Sequence, residues 1–340
     1  MTRNQDMGRR AAVVLCVAAA LSGPGAPAGA SAGPAGPGRG ALVYVADLHS
    51  DTVSVVDAGS GTVVDRVPVG DGPDSVAVAP DGARVYVTDS AADTVSVIDA
   101  RTRRVTATVP VGDEPSRVTV SPDGWNVYVA NVGSGDVSVI STRTLAVTDT
   151  IAVGDAPLGV AVSPDGCTLY VANAASGTVS VVRTATATVT GTIPVGSGPT
   201  ALALTPDGRH LYVSNMDSDD VSVVDVRAGA ESDRIPVGDR PTGIGVRPDG
   251  RAVYVADIGS DTVSVIGTRA RAVTDTVAVG HSPNGLAAGP DGSRVYVSDF
   301  DSDTLSVIDT ATARVTDTVP VGDGPTGVAV AGGKTPEDTA

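Results

Sequence analysis

Aspartate is the residue type in this sequence that is most suited to binding a ligand. The densest groups are DSDD at 217–220 and DFDSD at 299–303. Closely spaced carboxylates suit Ca²⁺, which takes several oxygen ligands. The candidate calcium ligands are Asp217, Asp219, Asp299, Asp301 and Asp303.

Two observations count against calcium, and no other cofactor is expected. Neither run continues into a calcium-loop pattern, because Thr310 stands where a bidentate glutamate would follow Asp299. Aspartates in tight hairpin loops also serve the turn itself, which is the alternative interpretation. The three histidines, His49, His210 and His281, are too few for a copper cluster, and no shared metal site is expected among them.

These residues are carried by a 42-residue unit that occurs seven times without insertion or deletion. Its copies begin at Val43, Val85, Val127, Leu169, Leu211, Val253 and Val295. In the second copy, strand-like segments cover 85–88, 94–99, 105–111 and 117–120. Four strands in such a period are typical of a β-propeller blade. The sequence therefore predicts an all-β fold, a seven-bladed β-propeller with four antiparallel strands per blade.

The unit also predicts the strand order and the way the ring closes. Proline interrupts the Val-Pro-Val-Gly strand, for example at Pro110, and proline cannot donate to a ladder on both sides. That strand must then lie at the outer edge, which leaves the Gly-Val-Ala-Val type of strand nearest the axis. The chain begins with a second strand and ends with an innermost one, 325–331. We expect this C-terminal strand to pair with the N-terminal blade and close the ring.

Two residues break the repeat on the innermost strands. Arg117 occupies a position that is small in the other copies: Ser75, Gly159, Ala201, Gly243, Gly285 and Gly327. Asp74 directly precedes Ser75 in its own copy. Arg117 could bind an anion at the mouth of the axial channel, so Asp74 and Arg117 are the candidate ligand-binding residues. The alternative is neutral drift at a solvent-exposed rim. No catalytic acid and base pair is apparent.

The repeat resembles the YVTN-type β-propeller family. The resemblance lies in Tyr128-Val129-Ala130-Asn131, Tyr170-Val171-Ala172-Asn173 and Tyr212-Val213-Ser214-Asn215, each followed by Val-Ser-Val, and in the recurring Pro-Asp-Gly turns. It covers 41 to about 332. It implies an exported or cell-surface propeller with a binding role more than a reaction. Related propellers include metal-dependent lactonases and lyases, which keeps an enzyme as the alternative.

The two ends predict export. Arg9 and Arg10 precede an apolar run at 11–21 and small residues near 32, the order of a signal peptide. A twin-arginine signal is the alternative to ordinary secretion. The predicted organisation is a signal peptide at 1–32, a flexible linker at 33–40, the propeller at 41–332 and a disordered tail at 333–340. We expect a secreted or cell-envelope location and a monomer with no membrane span.

The net charge and the placement of the aspartates indicate which partners the protein can bind. The formal net charge is −16, which disfavours nucleic acid and anionic membranes as partners. When loops are assigned to faces by strand direction, most aspartates fall on the face formed after the second and fourth strands. The sequence analysis therefore predicts a non-enzymatic binding or surface-interaction module that contacts an extracellular partner through this acidic loop face. The alternative is a lactonase- or lyase-like enzyme, possibly metal-dependent, that uses the axial channel.

Overall fold

The computed structural model describes residues 41–332, which form seven four-stranded antiparallel sheets. The predicted signal peptide, linker and C-terminal tail lie outside the described residues. Within the described part of the chain, no helix is long and apolar enough to cross a membrane. The sheets are the blades of the predicted seven-bladed propeller, so the predicted fold is confirmed.

The two inner strands of each blade have nearly constant length. The innermost strands are β4 (Pro73–Val78), β8 (Pro115–Val120), β12 (Pro157–Val162), β16 (Pro199–Leu204), β20 (Pro241–Val246), β24 (Pro283–Ala288) and β28 (Pro325–Ala331). The second strands are β1 (Leu42–Asp47), β5 (Arg84–Asp89), β9 (Asn126–Asn131), β13 (Thr168–Asn173), β17 (His210–Asn215), β21 (Ala252–Asp257) and β25 (Arg294–Asp299).

The two outer strands complete each blade. The third strands are β2 (Thr52–Asp57), β6 (Thr94–Asp99), β10 (Asp136–Ser141), β14 (Thr178–Arg183), β18 (Asp220–Asp225), β22 (Thr262–Gly267) and β26 (Thr304–Asp309). The outermost are β3 (Thr62–Pro68), β7 (Arg104–Pro110), β11 (Ala146–Ala152), β15 (Thr188–Pro194), β19 (Ala230–Pro236), β23 (Ala272–Ala278) and β27 (Arg314–Pro320). Two short 3₁₀ turns occupy Thr184–Thr186 and Phe300–Ser302.

Strand order follows the prediction from proline placement. Each sheet runs from the Gly-Val-Ala-Val type of strand on the inside to the Val-Pro-Val strand on the outside. The first blade takes its innermost strand from the end of the chain: β28 pairs with β1, with Tyr44 opposite Ala329 and Leu42 opposite Ala331. The predicted closure is confirmed. It removes the open edges that a linear array would leave.

Packing between blades explains why the second and third strands of each blade are apolar on both faces. The four central residues of β6, Val95 to Ile98, are all buried because both faces of the strand are covered. The repeated tyrosine is also buried and sits between blades; Tyr86, for example, packs with Val127 and Ile140 of the next blade. The tyrosines therefore belong to the blade-to-blade core. Their burial raises the pKa of the phenol, to about 12 for Tyr128.

Candidate functional site

The innermost strands of all seven blades surround one axial cavity of about 150 Å³. Each strand starts at its proline on the loop face that carries most aspartates and runs toward the opposite face. The lining residues are Ser75, Val76, Arg117, Val118, Gly159, Val160, Ala201, Leu202, Gly243, Ile244, Leu286 and Val328. Every blade contributes, which places the cavity on the axis of the ring.

Seven aliphatic residues, one from each innermost strand, lie around this cavity. They recur at intervals of 42 residues: Val76, Val118, Val160, Leu202, Ile244, Leu286 and Val328. We call them the aliphatic collar. Six of them keep only 6% to 9% of their surface exposed. These side chains therefore pack mainly into the cores between blades, and most of the surface that the cavity presents is polar.

The position before the collar is small because the inner strands of neighbouring blades nearly touch there. A Cβ atom added to Gly243 would lie 2.5 Å from the carbonyl oxygen of Asn284 in the next blade. One added to Gly327 would lie 2.7 Å from the Cα atom of Ser75. Real Cβ atoms do not approach so closely, so glycine is required for the spacing between the inner strands. Arg117 is the one long side chain at this level.

Among residues 41–332, Arg117 is the only charged residue that lines the cavity. Its side chain is partly buried, and within residues 41–332 it takes part in no ion pair. A guanidinium carries five N–H donors and stays protonated. Arg117 therefore presents an unused cationic donor group to the channel, where it can take an anion or a carbonyl oxygen.

The structure brings Asp74 to the same part of the mouth. Oδ2 of Asp74 accepts a hydrogen bond of 2.9 Å from the hydroxyl of Ser116, the residue that precedes Arg117. The two lie on adjacent innermost strands, β4 and β8. Asp74 is partly buried and Ser116 is 9% exposed. A carboxylate thus lies on the strand next to the one that carries Arg117, one residue before the lining residue Ser75, and Asp74 itself is not part of the cavity lining.

Hydroxyl groups that sequence reasoning missed fix the mouth between blades. The Thr88 hydroxyl donates to the Ser116 carbonyl at 2.6 Å, and the Thr242 hydroxyl donates to the Asn284 carbonyl at 2.9 Å. The Thr326 hydroxyl reaches the Pro73 carbonyl at 3.2 Å across the ring closure. All three threonines are buried. The sequence feature that could have revealed these hydroxyl groups is the Pro-Thr-Gly start of β20 and β28, because its threonine is neither a turn residue nor apolar.

The candidate calcium ligands do not form a common site. Asp299 is fully buried, and its Oδ2 accepts hydrogen bonds from Ser306 at 2.7 Å and Thr304 at 3.0 Å. Asp219 and Asp303 each accept a backbone N–H, and Asp301 accepts the Ser282 hydroxyl. Asp217 is exposed. Among residues 41–332 there is no group of three or more His, Cys, Asp or Glu side chains arranged to hold a metal ion.

A buried polar position closes the end of every second strand. It is occupied by Asp47, Asp89, Asn131, Asn173, Asn215, Asp257 and Asp299, all fully buried. Where the residue is aspartate, the serine seven residues later donates to Oδ2 at 2.7 Å. Where it is asparagine, Nδ2 donates to that serine at 2.9–3.0 Å. We call this pair the Asx–Ser clasp.

The clasp aspartates add no charge to the loop face on which the sequence placed most aspartates, because all four are fully buried. The serines of the clasp are their hydrogen-bond partners. Burial raises the pKa of Asp47, Asp89 and Asp299, and raises the pKa of Asp257 to about 6, because desolvation disfavours the ionised carboxylate.

Another group of loop aspartates accepts hydrogen bonds from backbone N–H groups. Asp51, Asp93, Asp219, Asp261 and Asp303 have φ between 52° and 56°. The Oδ1 atom of each accepts the N–H of the residue 21 positions later, at 2.8–3.0 Å. Aspartate tolerates the left-handed conformation and supplies the acceptor. Much of the predicted acidic loop face therefore holds the loops in place.

Comparison with known proteins gives the family. A family model described as "Lactonase, 7-bladed beta-propeller" matches residues 37–195 and 183–272. The chain belongs to this lactonase family. No curated protein matches it.

Solved structures confirm the fold of this family member. A chain of Kuenenia stuttgartiensis hydrazine synthase is 26% identical, with a TM-score of 0.73 over 80% of this chain and 93% of that one. A putative 6-phosphogluconolactonase from Bacteroides fragilis is 19% identical, with a TM-score of 0.74 over 88% and 100% of the two chains. One from Bacteroides uniformis is 18% identical, with a TM-score of 0.73 over 86% and 99%.

The family match overturns two predictions. The interpretation as a non-enzymatic binding module acting through the acidic loop face is wrong, and so is the expectation that the chain is not an enzyme. The physical reason lies in the aspartates. When loops are assigned to faces from the sequence, every carboxylate is counted as surface charge. In the structure, the clasp and turn aspartates form hydrogen bonds within the protein.

Proposed function

We propose that this lactonase-family propeller is a lactonase-like hydrolase whose site is the mouth of the axial channel. The observation that carries the proposal is Arg117, the one charged group lining the axial cavity, with no ion-pair partner among residues 41–332. The Asp74 carboxylate, bonded to the residue next to Arg117, supplies the second group. Family membership supplies the class of reaction.

The chemistry is the opening of a cyclic ester by water. Water adds to the lactone carbonyl carbon, and the carbonyl oxygen becomes an oxyanion that the Arg117 guanidinium stabilises by donating N–H groups. Asp74 accepts the proton that the attacking water loses. The ring C–O bond then breaks, and that proton passes to the departing alkoxide. The product is a hydroxycarboxylic acid, which releases its carboxyl proton to the solvent at neutral pH.

The hydroxyl bonds between blades support this role. Oriented groups stabilise a transition state best when they need no rearrangement during the reaction. The bonds from Thr88 to Ser116 and from Ser116 to Asp74 hold β4, β5 and β8 in fixed relation. Asp74 is thereby positioned on a strand, not on a loop, which favours a constant distance to a bound lactone.

Two finer predictions accompany this proposal. The first is that the chain also belongs to the narrower YVTN-type group, which the repeat carried by Tyr128-Val129-Ala130-Asn131 and its counterparts supports. The basic and apolar start of the chain supports export by a signal peptide. Detection of activity outside the cytoplasm of the producing cell, with the N-terminus beginning near residue 33, would test the second.

The test of function is hydrolysis of δ-lactones by the purified protein, followed by acid release at constant pH. We expect Arg117→Gln to lower kcat/KM about 10²- to 10³-fold, the usual effect of losing an oxyanion donor. Asp74→Asn should lower it about 10²-fold or more. Arg240→Gln is the matched control, because Arg240 is exposed on the same face but does not line the cavity. Equal rates for all three variants would contradict the assignment of the site.

A further inference from the structure

A groove of about 340 Å³ lies on the face opposite the channel mouth, between the blade of β16–β19 and the blade of β20–β23. His210 lines it from the first of these blades. Arg269 and Arg271 line it from the turn that follows β22 in the second. Nη2 of Arg271 lies 3.4 Å from Nε2 of His210. Basic side chains of two blades therefore meet here, and we call this cavity the arginine groove.

The turn that carries the two arginines lacks a carboxylate that other copies have. Gly267 occupies a position that holds aspartate in four copies: Asp57, Asp99, Asp225 and Asp309. Each of those carboxylates accepts the N–H of the residue three positions later, at 2.7–2.8 Å. Arg269 is exposed and takes part in no ion pair among residues 41–332. Nη1 of Arg271 is 3.9 Å from the carboxylate of Asp233, the outer limit of an ion pair. The positive charge of this turn is therefore only weakly compensated.

Two aspartates also line the groove, and groups of their own turns already bind both. Asp249 accepts a hydrogen bond of 2.8 Å from Nε of Arg247 and one of 3.0 Å from the N–H of Arg251. Asp207 accepts the Thr205 hydroxyl at 2.6 Å. Because the guanidinium of Arg247 balances the charge of Asp249, the arginines across the groove stay available to a ligand.

The equivalent position four repeats earlier, between the blades that contain β1 and β5, has the same two arginines in a less positive setting. They are Arg101 and Arg103, and Nη1 of Arg103 lies 3.8 Å from the carboxylate of Asp65. Here the turn keeps its aspartate, Asp99, and Leu42 takes the place of the histidine. The arginine groove thus has one carboxylate fewer and one imidazole more, and it favours an anion where its counterpart does not.

We propose that the arginine groove binds the phosphate group of a small phosphate ester, at a site separate from the axial channel. A phosphate monoester carries nearly two negative charges and three strong acceptor oxygens. Arg269, Arg271 and His210 supply a matching set of three donor side chains, two of which are permanently charged. The exposed Pro206 also lines the groove and offers an apolar contact to the organic part of the ester.

Calorimetric titration of the full chain with phenyl phosphate and with inorganic phosphate tests this site. Phenyl phosphate should bind several-fold more tightly, because only the ester has an apolar part to pack in the groove. Arg269→Gln and Arg271→Gln should each weaken its binding about tenfold, the effect of losing one charge-assisted hydrogen bond. Arg103→Gln is the matched control, since it removes the equivalent arginine from the other position, and it should leave the affinity unchanged.

Gly267→Asp supplies the sharpest variant, because it restores the carboxylate that four copies have. It should reduce phosphate binding to an undetectable level. A Cβ at this position would lie 2.9 Å from the Thr274 methyl group, and Asp99 already stands beside the equivalent Thr106 in another blade, so a small adjustment accommodates the side chain. An unchanged melting temperature confirms that the fold is kept.

The site itself is also open to contradiction. If Arg117→Gln removes phosphate binding and Arg271→Gln does not, the anion enters the axial channel and this inference is wrong. Unchanged affinity in Gly267→Asp, or no binding at millimolar phenyl phosphate, would overturn it as well. Tighter binding of inorganic phosphate than of phenyl phosphate would overturn the ester as the ligand.

Discussion

At the scale of single residues, the Asx–Ser clasp occurs in two forms among the seven copies, one built on aspartate and one on asparagine. Where the clasp residue is aspartate, the position five residues later is always threonine, which donates to the carboxylate: Thr52, Thr94, Thr262 and Thr304. Where it is asparagine, that position holds Asp136, Thr178 or Asp220. No copy places carboxylates at both positions, because two adjacent buried anions would repel and neither could donate.

Asp257→Asn should therefore stabilise the protein at neutral pH. The pKa of Asp257 is about 6, so at pH 8 the folded protein holds a desolvated carboxylate, and its neutral replacement avoids that cost. Asn173, with Thr178 and Ser180 as partners, shows that an amide fits beside the same types of neighbour. We expect about 1–3 kcal/mol of added stability at pH 8 and about half as much at pH 5, where the unfolded chain is ionised at this position and the folded chain is not. Denaturant unfolding at the two pH values measures this.

The reverse substitution is the matched control. Asn173→Asp places a new carboxylate in an equivalent buried position and should destabilise the protein at pH 8 more than at pH 5. If Asp257→Asn were no more stable than the parent at pH 8, the buried carboxylate would not carry the cost argued here.

At the scale of the strands, the innermost layer is limited by how closely neighbouring blades approach. Gly327 on β28 faces the backbone of Ser75 on β4, and Gly243 on β20 faces that of Asn284 on β24. The same strands carry the aliphatic collar one residue later. Glycine thus permits the closest approach between strands in the four copies that have it, whereas Ser75, Arg117 and Ala201 occupy the same position in the other three. The site and the ring closure depend on the same two adjacent positions.

Gly327→Ala should destabilise the protein by about 1–3 kcal/mol, because the new methyl group would overlap the Cα of Ser75 and force β28 away from β4. Gly332→Ala is the control: its Cβ would meet nothing closer than the Pro290 ring at 3.8 Å, so little change is expected. Denaturant midpoints for the two variants give the comparison. Equal midpoints would mean that the inner strands can separate without cost.

At the scale of the whole molecule, two sets of aspartates act in opposite directions on stability. The clasp aspartates have raised pKa values in the folded state, so between about pH 4 and pH 6 the folded chain binds more protons than the unfolded one. Stability then falls as pH rises through this window. Turn aspartates such as Asp165 and Asp207 have lowered pKa values through hydrogen bonds, and their contribution is lost as pH falls below about 4.

The free energy of unfolding should therefore be greatest near pH 4–5 and decline toward pH 7.5. Asp257 alone accounts for about 2 kcal/mol of that decline, because at 1.36 kcal/mol per pKa unit only the part of its shift above about pH 4.5 falls within it. Because the formal net charge of −16 adds repulsion in the same direction, the profile is measured in 1 M NaCl, which screens surface charges. A profile in salt that is flat, or that rises toward pH 7.5, would contradict the role of the clasp aspartates.

Sequence alone determined the architecture. The fixed 42-residue period gave seven blades, the prolines gave the order of strands, and the unpaired last strand gave the closure between β28 and β1. These features are local, since alternation, turn residues and the missing N–H of proline act within a few positions of the chain. Arg117 and Asp74 could be singled out for the same reason, as departures from a repeated pattern.

Only the tertiary structure decided where each side chain points and what it touches. The collar, the bond from Ser116 to Asp74 and the bond from Thr326 to Pro73 join different blades, the last across 253 residues. Burial of the clasp aspartates likewise depends on the neighbouring blade. From the sequence alone these aspartates were counted as surface charge, so the acidic face was predicted to be larger than it is. Contacts between blades arise when the ring closes, so no pattern within one unit specifies them.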